Sequence, residues 1–142
     1  MIDPLLSLCI VGPKREFAAG DELVCEYQID AVEPADIQAV EFSVLWHTEG
    51  KGEEDLGVHF FERRLPSDAD GGDLRPMRRL RTRLPNSPLT YHGAILSIQW
   101  CARLRLFLRR GREYVMEQPF TLGCVPALLP AVAAEPEADD EA

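Results

Sequence analysis

The 142 residues are the length of one ordinary domain, long enough to bury a core without staples. With 46% hydrophobic residues, 11 prolines and 10 glycines, the chain reads as a turn-rich globular protein, and the lack of any long apolar run excludes a membrane-spanning helix. The net charge of −9 is uneven: five acids (Glu135, Glu137, Asp139, Asp140, Glu141) sit near the C-terminus, and taking them from 24 leaves 19 against 15 Lys and Arg, or −4.

The first predicted strand is Leu5 to Val11, closed by Gly12-Pro13. The residues before it carry an acid where a secretory signal needs bases, so a cytoplasmic protein is expected. Phe17 to Asp21 has turn composition. A second strand follows, in which Leu23, Cys25, Tyr27 and Ile29 alternate with Glu26, Gln28 and Asp30. Ala35 to Gln38 holds one helical turn at most. Val40, Phe42, Val44 and Trp46 then alternate with Glu41, Ser43 and His47 in a third strand, and the loop Thr48 to Asp55 leads to a fourth through Leu56, Val58 and Phe60.

Pro66 to Pro76 reads as loop. The fifth strand, Met77 to Leu84, sets Leu80, Thr82 and Leu84 on one side and Arg79, Arg81 and Arg83 on the other. A turn crowded with Pro85, Asn86, Ser87, Pro88 and Gly93 then gives way to the longest alternation in the chain. Leu96, Ile98, Trp100, Ala102, Leu104, Leu106 and Leu108 share one face. Ser97, Gln99, Cys101, Arg103, Arg105 and Arg109 share the other, with Phe107 the apolar exception. Arg110-Gly111 turns into a seventh strand whose Tyr114, Met116, Phe120 and Leu122 share a face. About seven strands with turns between them and no helical period predict an all-β fold, a single antiparallel β-sandwich over residues 1–123. Residues 124–142, rich in Ala, Pro and acid, have the composition of a flexible tail; its apolar part, Val125 to Val132, reads as a linker or a short docking segment.

The turn and the long strand carry a resemblance. Leu84-Pro85, then Ser87-Pro88, then Thr90-Tyr91-His92-Gly93, leading into Ile98-Gln99-Trp100-Cys101-Ala102-Arg103, resembles the pattern of the arrestin-like (immunoglobulin-like β-sandwich) domain superfamily. The strand ending in Phe120-Thr121-Leu122-Gly123 is similar in position and type. The resemblance covers residues 77–123 and extends to the first half by strand count. It departs from arrestins in having one sandwich rather than two in tandem, as a single-sandwich bacterial-type member would. It implies an adaptor or scaffold that binds other proteins and carries no catalysis.

No motif for catalysis or a cofactor stands in the chain. Cys9, Cys25, Cys101 and Cys124 are widely separated, with no CxxC, and His47, His59 and His92 fall in no metal pattern. Gly50-Lys51-Gly52 has the wrong spacing for a phosphate loop. The loop Asp68 to Asp73 has oxygen ligands at calcium-like spacing but lacks the terminal glutamate of an EF-hand, so whether it takes calcium stays open. Trp46 and Trp100 are expected to meet in the core.

Arginine is the strongest chemical feature. If the fifth and sixth strands were neighbours, Arg79 and Arg81 would line up with Arg103 and Arg105 as one basic face, with Tyr91 at its rim. Like charges opposed across strands are destabilising. Either acids such as Glu113 and Glu117 interleave, leaving a solvated outer face, or the face awaits an anionic partner. The expected partner is another protein with an acidic surface; nucleic acid and membrane are not expected, and no cofactor or metal is. A partner meeting an edge strand, self-assembly into a larger complex, and a small sugar or lipid headgroup ligand are the alternatives. The acidic tail is a further candidate to cover the arginines in cis.

Overall fold

The structure, a computed structural model, describes residues 3–52 and 54–123. The strands are β1 (Leu5–Ile10), β2 (Glu16–Phe17), β3 (Glu22–Asp30), β4 (Ile37–Gly50), β5 (Leu56–Arg64), β6 (Arg78–Arg83), β7 (Tyr91–His92), β8 (Leu96–Leu108) and β9 (Glu113–Leu122). The seven expected strands are all present. The two additions, β2 and β7, are two residues each and too short to show a period. Single-turn 3-10 helices occupy Pro34–Asp36, Pro66–Asp68 and Asp70–Gly72. The predicted tail lies outside the described residues.

The strands form two layers, β1-β3-β6 and β2-β9-β8-β4-β5, with β7 continuing the line of β9 along the flank of β8. Every ladder is antiparallel except the short β2–β9 pair, which is parallel. The expected neighbours of β6 and β8 therefore differ from the real ones. The loop after Leu84 carries the chain from one layer to the other, so β6 pairs with β3 while β8 pairs with β4 and β9.

The core fills the space between layers as the alternation dictates. Leu23, Cys25, Tyr27 and Ile29 of β3 face Phe42 and Val44 of β4 and Trp100, Ala102, Leu104 and Leu106 of β8, all nearly or fully buried. Burial of that apolar area is the dominant favourable contribution to folding. Tyr27 stacks on Phe42 with ring centroids 6.0 Å apart, and Phe120 lies 5.9 Å from Trp100. The turn before β7 closes one end: the Trp100 indole N–H donates to the Pro88 carbonyl at 2.8 Å, and Thr90 exchanges two bonds with Leu122, its hydroxyl accepting the Leu122 N–H and its own N–H reaching the Leu122 carbonyl. A buried indole needs such an acceptor.

The two edges are fastened differently. Along one, Glu62 of β5 accepts two bonds from the Arg78 guanidinium of β6 (2.7 and 2.6 Å), and His59 of β5 donates to the Arg83 carbonyl at 2.8 Å. Along the other, Asp3 joins Arg112 and Tyr114 at the start of β9. His59 is the extra residue of a β-bulge, since Val44 opposes Phe60 and Leu45 opposes Val58.

Trp46 opposes Trp100 in register, and its half-buried ring lies against Gly57, across from it on β5. A Cβ at Gly57 would come within 2.3 Å of the Trp46 Nε1. Gly57→Ala should therefore push the indole aside and destabilise the fold by about 1–3 kcal/mol, read as a lowered urea midpoint with a changed Trp emission spectrum. An unchanged midpoint would mean that the Trp46 ring is not packed on the Gly57 backbone.

Candidate protein-interaction surface

The arginine residues nominated from sequence do not form one face. Arg79 and Arg81 project from the outer side of the β1-β3-β6 layer, and Arg103 and Arg105 from the outer side of the other layer, back to back across the core. The expectation of a single basic patch is corrected on this point, and the reason is the layer change at Leu84.

Each row meets carboxylates on the neighbouring strand. Register places Arg79 opposite Glu26 and Arg83 opposite Glu22. Arg79 pairs with Glu26, while Arg81 reaches diagonally to Glu22 at 3.1 Å. In the other layer Arg103 opposes Glu117 and bonds it at 2.6 Å. Arg105 lies between Glu113, which accepts its Nε–H at 2.6 Å, and Glu41, 3.6 Å away. Glu41 also takes Arg63. Phe107 sits beside this row under the guanidinium planes of Arg63 and Arg105, at 5.5 and 5.0 Å, which gives the apolar exception of the alternation a cation–π role. Of the two arrangements open from sequence, interleaved acids describe these rows. Exposed pairs of this kind contribute only about 0.2–1 kcal/mol each, so their main effect is on which charges remain available.

Tyr91 is exposed and belongs to β7, at the far end of the β8 ladder from Arg105. Its ring covers Gly93, where a Cβ would approach within 2.5 Å. Two acids of the loop from Asp68 to Asp73 are used internally: Asp68 accepts the Leu65 N–H, and Asp73 accepts from the Arg75 guanidinium and N–H, which holds its carboxyl below the ordinary range. Among the described residues no three acid, His or Cys side chains stand together as metal ligands.

Two surface features were not singled out from sequence. The first is β5, which pairs on one side only, with β4, and forms an edge of its layer. Three of its outward side chains are large, apolar and about half exposed: Leu56 at 54%, Val58 at 52% and Phe61 at 54%. Behind them on the same outer face, Leu45 and Cys101 are buried although neither belongs to the core cluster. The bulge hid this from sequence, because it places Val58 and Phe61 on one face three residues apart. The second is the β8–β9 turn, where Arg109 and Arg110 line a cleft of about 340 Å³ that adjoins another of about 470 Å³.

The described cysteines are unpaired, Cys9 exposed and Cys25 and Cys101 buried. Burial pushes the Cys25 thiol up to about 12 and the Cys101 thiol to about 11, so neither is a nucleophile at neutral pH.

The geometry defines the class: an all-β sandwich of two packed, mainly antiparallel sheets. Of solved structures, Spo0M, the sporulation control protein from Bacillus subtilis, is similar at a TM-score of 0.59 and 9% identity, over 89% of this chain and 51% of that one. The chain thus spans about half the length of that protein. A β-glucosidase from Listeria innocua in complex with gluconolactone aligns at a TM-score of 0.40 and 14% identity, over 85% of this chain and 16% of the enzyme. No family model and no curated protein matches the chain.

Two measurements check this surface. In native thiol labelling read by peptide mapping, Cys9 should react at least about tenfold faster than Cys25 or Cys101; equal rates would place the buried pair in solvent. A double-mutant cycle on Arg103 and Glu117 should give a coupling of about 0.2–1 kcal/mol that shrinks with salt. Zero coupling would release Arg103 from its internal pair.

Proposed function

We propose that the chain is a non-catalytic, cytoplasmic protein-interaction module, an adaptor or scaffold that receives its partner on the free edge and outer face of β5. One observation carries this reading: β5 offers an unpaired strand edge beside Leu56, Val58 and Phe61, half exposed in a row. An extended partner segment could add main-chain hydrogen bonds along such an edge while its side chains meet the apolar row. Edge strands left open in this way are also sites of unwanted pairing, and the His59 bulge, with Arg63 and Arg64 at the end of β5, limits how far a strand can run. The fold shared with a sporulation control protein supports a control or adaptor role over catalysis, while fold likeness by itself transfers no partner.

Arg79, Arg81, Arg103 and Arg105 stay in the proposal in a lesser role. A partner meeting them would exchange one carboxylate for another, which favours specificity and association rate more than affinity. With Tyr91 they would form separate rims rather than one site. The partner expected for these rims is a protein with an acidic surface.

The edge also admits a second reading, in which copies of the chain pair through β5 and the module is a structural subunit. The test separates the two. Wild-type protein, a Val58→Lys/Phe61→Lys variant and an Arg79→Glu/Arg81→Glu/Arg103→Glu/Arg105→Glu variant, each shown to be folded, are compared in affinity capture and sedimentation. Loss of a captured protein, by about tenfold or more, is expected for the β5 variant and not for the arginine variant. Equal capture by all three would remove the β5 site. Concentration-dependent oligomers abolished by the β5 variant would instead favour self-assembly.

A further inference from the structure

With the arginine rows answered internally, the remaining positive charge can be located. Among the described residues Arg15, Lys51, Arg64, Arg83, Arg109 and Arg110 have no carboxylate within ion-pair distance, and of these Arg109 and Arg110 stand together on the β8–β9 turn. With Arg112, Leu108 and Asp36 they line the cleft of about 340 Å³. The adjoining cleft of about 470 Å³ shares Leu108, Arg112 and Asp36 and runs on toward Arg75, Ala31 and a second acid, Glu33. The smaller cleft thus gathers three guanidinium groups and the Asp36 carboxylate around Leu108; Arg112 is already paired with Asp3 at 3.0 Å, so the charge left to answer is that of Arg109 and Arg110.

The turn is held in place before any ligand arrives. The Leu108 N–H donates to the Arg112 carbonyl at 2.8 Å and the Gly111 N–H to the Leu108 carbonyl at 3.1 Å. Arg109 is fixed to the 3-10 turn at Pro34–Asp36 twice: its N–H donates to the Asp36 carbonyl at 2.9 Å and its Nε–H to the Ala35 carbonyl at 2.7 Å. That leaves the terminal Nη groups of Arg109, and the whole Arg110 guanidinium, without a bond to any described residue. A second observation comes from the adjoining cleft, which Ala31 lines. Ala31 is held at φ 60°, the one non-glycine at positive φ among the described residues. An alanine in that region is strained relative to ordinary backbone, and strain of this kind concentrates where a chain segment is shaped for binding.

We infer that this cleft is a carboxylate-binding site for an extended acidic segment of a partner protein. The inference rests on the reading of the chain as a protein-interaction module, but not on the β5 edge. Guanidinium forks match carboxylates in charge and planarity, and Leu108 gives the intervening aliphatic carbons a surface to lie on. A nucleic acid is disfavoured, because the chain outside its acidic C-terminal run already carries −4 (19 acids against 15 bases) and would repel a polyanion beyond the cleft. The segment 133–142 of this chain, AAEPEADDEA, has the required chemistry and supplies a defined probe.

The receptor for the test is the full chain with its own terminal acids neutralised (Glu135→Gln, Glu137→Gln, Asp139→Asn, Asp140→Asn, Glu141→Gln), so that nothing competes in cis. Fluorescently labelled AAEPEADDEA is titrated at low salt and followed by anisotropy. Binding should be saturable, weaken with salt, and fall about tenfold or more when Arg109→Gln and Arg110→Glu are introduced. It should change less than about twofold with Arg79→Glu and Arg81→Glu, whose arginines are already paired. An amidated peptide, with Gln and Asn for Glu and Asp, should not bind. The proposal fails if the peptide does not bind, if both pairs of substitutions weaken it equally, or if equimolar inorganic phosphate displaces it, which would mark a small-anion site. Each of those results leaves the β5 reading standing, since that is judged by a different variant on a different surface.

Discussion

The ladder between β4 and β8 is the constraint on which the rest of the molecule depends. The two strands pair from Ile37 opposite Leu108 to Gly50 opposite Leu96, the longest pairing in the fold. Because side chains alternate, one register sends Phe42, Val44, Trp100, Ala102, Leu104 and Leu106 into the core and Glu41, Ser43, Arg103 and Arg105 outward. A slip of one residue would put guanidinium groups among the rings of Tyr27 and Phe42 and turn Trp100 toward water. Desolvating an unpaired charge is so costly that the register has no close competitor.

That register also decides what the surface can offer. Arg103 and Arg105 are delivered to the outer face in a row, and their repulsion is relieved by Glu41 on one neighbouring strand and by Glu113 and Glu117 on the other. The same solution appears in the other layer, where Glu22 and Glu26 of β3 answer Arg81 and Arg79. Across the edge, Glu62 and Arg78 join the two layers. The sandwich therefore hides little charge and leaves little unanswered in the middle of its sheets. Surfaces with something left to give lie where ladders stop: the outer side of β5, which has no further strand, and the β8–β9 turn, where Arg109 and Arg110 have run past their last opposing acid.

Much of the fold was legible in the sequence. Period two in Leu23 to Ile29, Val40 to His47 and Leu96 to Leu108 placed the strands and told inside from outside, including Cys25 and Trp100. The crowded turn at Leu84 to Gly93 marked its own position, and Glu113 and Glu117 stood out as acids able to interleave. The candidate surface was far less legible. The Phe61 position was obscured by the bulge at His59, which breaks the alternation in a way no local signal records. By alternation Arg109 reads as the end of a row, although β8 stops at Leu108; the Arg-Arg-Gly turn sequence is the signal that sets it apart.

By itself the sequence determined which residues extend, which side of each strand is dry, and that two sheets must pack face to face. Only the tertiary structure decided which strands are neighbours. Alternation specifies the face a side chain occupies and contains nothing about the strand across from it, because pairing depends on contacts between residues far apart in the chain. The passage from β6 to β8 shows the difference: the same turn residues would serve a hairpin within one sheet or a crossing between two. What selects the crossing is that β3 and β4 offer β6 and β8 separate partners on opposite sides of one core.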